Sequence, residues 1–139
     1  MDLDDSLDYL FRLEREFEDW DRKYKEAHDH RWFTSYVFMS EKMRNLIKLN
    51  ITPILELLTE IKTRLGETFE PKDLSFHIDT AATYIENMKK EMKMIITMYS
   101  EQQDYAKIRN EWGIVIPQLL KHCRDLRGRL LIIKRITEK

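Results

Sequence analysis

Apolar residues recur along this chain at alternating spacings of three and four. The longest run is the clearest: Ile78, Ile85, Met92, Tyr99 and Ala106 form one row, and Ala81, Met88 and Ile95 form a second beside it. Such spacing keeps a single stripe on one side of an α-helix and does not fit the two-residue period of a strand. The same pattern appears near the start, where Leu3, Leu10, Phe17 and Tyr24 alternate with Ser6, Leu13, Trp20 and Ala27. It appears again in Ile47, Ile54 and Ile61, which follow Phe33 and alternate with Tyr36, Met43, Asn50 and Leu57. Toward the end, Ile116, Cys123 and Leu130 alternate with Leu119, Leu126 and Ile133. Four registers predict an all-α fold, an antiparallel bundle of about four helices with coiled-coil-like seams.

Composition agrees with few, long helices. Only 3 Gly and 3 Pro serve 139 residues, too few for the many turns of a sandwich or barrel, and no Gly-rich phosphate-binding loop is present. The length suits one domain spanning 1–139. The shift of heptad phase between Ala27 and Phe33 predicts a break near His28 to Thr34. At Pro53 the apolar row runs on in phase, so a kinked continuous helix is expected, with a fresh start at Thr52 as the alternative. Gly66 to Asp73 reads as a loop, with Asp73 or Ser75 capping the next helix. That third helix is expected to reach about Asn110, and Asn110 to Gly113 reads as the turn before a fourth helix that contains Pro117.

Several chemistries lack their residues. A di-iron carboxylate bundle needs a carboxylate three residues before a His, but Lys25, Ala27, Leu74 and Leu119 precede His28, His30, His77 and His122 at that distance. Zinc-protease spacing is also missing, and one cysteine cannot build a thiolate zinc site. No metal or other cofactor is expected. Cys123 lies on a seam, where a buried inert thiol is the expectation. The chain therefore reads as a non-enzyme. The acidic start from Met1 to Asp8 lacks the features of a secretory signal, and the densest apolar stretch, Leu130 to Ile133, is closed by Lys134 and Arg135. With a single cysteine, a soluble cytoplasmic protein is expected.

What remains is surface. Residues 1–30 hold 11 acids and 5 bases, and residues 121–139 hold 7 bases and 2 acids, although 24 basic and 25 acidic residues nearly cancel overall. Complementary packing of the first and last helices follows, within one chain or between two. The segment Leu130 to Ile136 is apolar nearly all round, and a helix of that kind commonly has a second partner. Ile132 and Ile136, together with Met94 and Met98, are accordingly the candidate interaction residues. The function expected is a non-catalytic interaction or assembly protein, acting through homo-oligomerisation or a protein partner. The alternative is a nucleic-acid-associated regulator using Lys121, Arg124, Arg129 and Arg135 on the last helix.

Overall fold

A computed structural model of the chain describes residues 1–28, 41–65, 72–101 and 104–138. They form four long helices: α1 (Leu3–His28), α2 (Thr52–Leu65), α3 (Lys72–Ser100) and α4 (Tyr105–Thr137). Residues 41–48 add a further helical stretch, and no strand occurs among the described residues. The expected all-α bundle is what is found. The expected break beyond His28 and the loop residues 66–71 lie outside the described residues, as do Phe33 and Tyr36 of the second register.

Local chemistry fixes the helix ends. Asp2 and Asp5 make a reciprocal cap at the start of α1: the Asp5 amide donates to Asp2 Oδ1 at 2.7 Å, and the Asp2 amide reaches Asp5 Oδ2 at 3.4 Å. One turn on, the Ser6 hydroxyl donates to the Asp2 carbonyl at 2.9 Å, which satisfies a polar residue buried in the apolar seam. Asp104 caps α4 by accepting from the Ala106 amide at 2.9 Å.

α4 is the central element. It packs against α3 on one side and α1 on the other, while α2 lies against α3. Contacts between α1 and α4 pair Tyr24 with Arg109, Glu14 with Arg124 and Asp4 with Lys134. One number falls as the other rises, so the helices are antiparallel. The core includes the expected rows Leu10, Leu13, Phe17 and Trp20, then Ile78, Ala81, Ile85, Met88, Met92 and Ile95, and finally Ile116 to Ile133 of α4. Trp20 ties the two ends of the chain's middle together: it stacks on Trp112 with ring centroids 6.0 Å apart, meets Phe17 edge-on at 5.3 Å, and carries the Lys42 ammonium at 5.9 Å.

Four details differ from the sequence-based expectation. At Pro53 the kinked continuous helix gives way to the alternative, a fresh start at Thr52, for 49–51 are not helical and the Asn50 side chain accepts from the Thr52 amide at 3.1 Å. That break uncouples the two halves of the second register, so Ile47 stands 52% exposed and Leu46 takes its place in the core, with Ile51 and Leu58. Second, α3 starts at Lys72, which puts Asp73 and Ser75 inside the helix and not before it. Third, α3 ends at Ser100, because Asp104 offers an N-cap and the apolar row has already turned polar at Gln102. Fourth, Asn110 to Gly113 is not a turn but part of α4, which runs unbroken through Pro117.

Gly113 has a packing role in place of the expected turn. A Cβ there would stand 2.7 Å from Tyr24 Oη, and that hydroxyl donates to the Arg109 carbonyl at 2.8 Å. Glycine lets the α1 ring lie directly on the α4 backbone.

Two stability predictions follow from these placements. Ile95 is fully buried and Lys90 is exposed. Ile95→Ala should cost about 2 to 5 kcal/mol and Lys90→Ala less than about 0.5 kcal/mol in denaturant unfolding. Gly113→Ala should destabilise the chain by about 1 kcal/mol net, overpacking outweighing helix propensity. In a Tyr24→Ala background the same change should stabilise by about 1 kcal/mol, because propensity alone remains.

Candidate interaction surface

The charged groups of α4 fall into three sectors. Toward α1, Arg124 Nε donates to Glu14 Oε1 at 3.0 Å and its Nη2 to Glu18 Oε1 at 2.6 Å. Arg127 Nη2 lies 2.9 Å from the second oxygen of Glu14, and Lys134 pairs with Asp4. Glu14 is buried between the two guanidiniums, and the Phe11 ring is flanked by Arg15 at 5.0 Å and Arg127 at 5.2 Å. The acidic first helix and the basic last helix thus meet within one chain. Nearby, the Cys123 thiol donates to the Leu10 carbonyl at 3.3 Å, and burial pushes its pKa up to about 12. A thiol so placed is a poor nucleophile.

Toward α3 the polar groups are sparse and enclosed. His122 Nε2 lies 3.1 Å from Glu91 Oε1, and the Tyr84 ring lies 6.2 Å from the imidazole. Glu91 Oε2 and His122 Nδ1 are buried without hydrogen-bond partners. Nearer the end of α4, Arg129 Nη1 donates to His77 Nδ1 at 2.7 Å and its guanidinium lies 5.7 Å from the Phe76 ring. No group of three or more His, Cys, Asp or Glu residues that could hold a metal is present among the described residues.

The third sector faces outward. Lys121 and Arg135 are exposed there, together with Gln118 and Gly128, while Glu111, Asp125 and Ile132 are half-buried. Large apolar side chains share this side: Ile114 on α4 is 52% exposed, and Phe76 and Met94 on α3 are 61% and 43% exposed. Leu131 is 42% exposed at the margin nearer α1.

The residues singled out in the sequence therefore have different surroundings. Met94 is exposed, but Met98 and Ile136 are half-buried against the core. The register set by Glu91–His122 and His77–Arg129 puts Met94 level with Ile114 and Ile132 level with Phe76. Eighteen residues of helix, about 27 Å, separate those two levels, so Met94 and Ile132 do not form one patch within a chain. Of the basic candidates, Arg124 and Arg129 are engaged with groups of their own chain. Phe76, Ile114 and Leu131 were not legible as surface residues, because each adjoins seam positions and only the true helix limits fix its direction. No protein-family model, curated protein or solved structure matches this chain. No described helix is long and apolar enough to cross a membrane.

The seam between α3 and α4 yields a pH-dependent stability. Burial raises the pKa of Glu91 against the opposing pull of His122. The folded chain therefore holds this proton to higher pH than the unfolded chain does. Its contribution is full below the ordinary value of 4.5 and is lost as pH rises through the folded-state value. Relative to Glu91→Gln, the unfolding free energy of the unsubstituted chain should fall as pH is raised from about 4 to about 7.

Proposed function

We propose that this chain is a non-catalytic helical interaction protein that docks another polypeptide on the outward side of α3 and α4. The observation that carries this reading is the disposition of apolar surface: Phe76, Met94 and Ile114 are all exposed on that side of one helix pair. Isolated exposed apolar residues are ordinary, but several large ones distributed along one face, with polar groups between them, are characteristic of contact surfaces. The buried seams are complete without them. Cys123, the only cysteine, supports a reducing cytoplasmic setting, since it has no partner for an intramolecular disulfide.

The test is site-specific photocrosslinking in the native cell. A photoreactive residue in place of Ile114 should give a discrete polypeptide adduct whose identity is read by mass spectrometry. The same residue in place of Glu60, exposed on α2, should give none. Absence of an adduct at position 114, or equal adducts at both positions, would overturn the reading.

A further inference from the structure

The outward stripe of α4 has a symmetry that identifies its occupant. Starting at Glu111, spacings of three and four alternate through Ile114, Gln118, Lys121 and Asp125, then through Gly128, Ile132 and Arg135. The sequence of spacings is the same read in either direction. An antiparallel helix with this stripe therefore meets it in register, every position facing one an equal number of residues from Cys123. The residue types match under that operation. Ile114 falls opposite Ile132, Lys121 opposite Asp125, and Glu111 opposite Arg135.

We infer that a second copy of this chain docks α4 against α4 in antiparallel fashion, about a two-fold axis that passes the outward stripe at the level of Cys123. This inference rests on the reading of the outward face given above and names its polypeptide. Such a contact is isologous, so each complementary pair is made twice. The charges support it. Between Lys121 and Arg135, the groups turned toward α1 or α3, namely Arg124, Arg127, Arg129 and Lys134, all have partners in their own chain. Lys121, Asp125 and Arg135 have none among the described residues, although Lys121 and Asp125 are one turn apart. Across the two-fold they find opposite charges.

Gly128 gives separate support. A Cβ at this position would meet nothing within 4 Å, so packing inside the chain does not require glycine. Glycine in an exposed helix interior is less favourable than alanine. Opposite Gln118 of a second copy, the missing side chain leaves room for the longer one. The α3 residues complete the match: the Phe76 and Ile132 end of one protomer meets the Ile114 and Met94 end of its partner. Met94 and Ile132, far apart within a chain, become neighbours in the dimer.

Charge reversal tests this pairing. Light scattering and sedimentation equilibrium should give twice the 17.0 kDa chain mass for the unsubstituted protein. Lys121→Glu alone and Asp125→Lys alone each place like charges together twice and should weaken the dimer at least about tenfold. The double variant restores opposite charges and should recover the dimer, with helicity unchanged throughout. As a second measurement, a short bismaleimide should join a Gln118→Cys chain to a Gly128→Cys chain when the two are mixed, and should join neither variant to itself. A monomer at every concentration up to about 0.1 mM would overturn the inference. So would a dimer indifferent to the single reversals, or one that the double variant does not recover. The wider reading fails separately, when position 114 captures no polypeptide; capture of a different protein leaves that reading standing and removes this one.

Discussion

Everything in this fold depends on α4 being shared. One helix supplies core residues to the pairing with α1 and to the pairing with α3, so its circumference is divided into two buried flanks and one outward strip. Sharing is possible because the apolar stripe of α4 is broad: Ile108, Trp112, Val115, Leu119, Cys123, Leu126, Leu130 and Ile133 run down its centre, and Ile116 and Leu120 widen it. Without that width, α1 and α3 could not both be anchored, and the stacked Trp20 and Trp112 rings would lose the surface between them. Hydrophobic burial is non-directional and sets which sides are inside; the charged groups then decide how each flank is edged.

Much of this was legible from residues alone, and the losses have physical causes. Rows of Leu, Ile, Met and Trp gave the all-helical architecture and most of the core, because burial follows period directly, while Leu46, Ile51, Leu58, Leu74, Ile108, Trp112, Val115 and Leu120 lay off those rows. Helix limits were harder. Asn50 and Asp104 act through single hydrogen bonds to nearby amides, a signal that many Asn and Asp residues could give and few do. Once the break at 49–51 is misplaced, the direction of Ile47 is wrong with it, since a shift of one residue turns a side chain by about 100°. Gly113 was read as punctuation because its partner, Tyr24, lies 89 positions earlier in the chain. Contacts of that range leave no local trace.

Identical side-chain types also acquire different meanings here. Arg124 and Arg135 lie on the same helix, yet Arg124 is engaged by two glutamates of α1 and Arg135 is not. Counting basic residues gives the asymmetry between the chain's ends but not this division. The division matters for function, since a cation already held by its own chain has less to offer a partner than one facing solvent. Candidate surface residues therefore had to be sorted by what their neighbours leave over.

The bond between the Cys123 thiol and the Leu10 carbonyl gives the bundle a built-in clock. An alkylating reagent reaches that sulfur only when the packing around it opens, as when α1 swings off α4, and the thiolate forms readily only once water enters. The rate of modification at this one atom thus reports how often the first helix leaves its seat, at a position that belongs to both the core and the backbone of its neighbour.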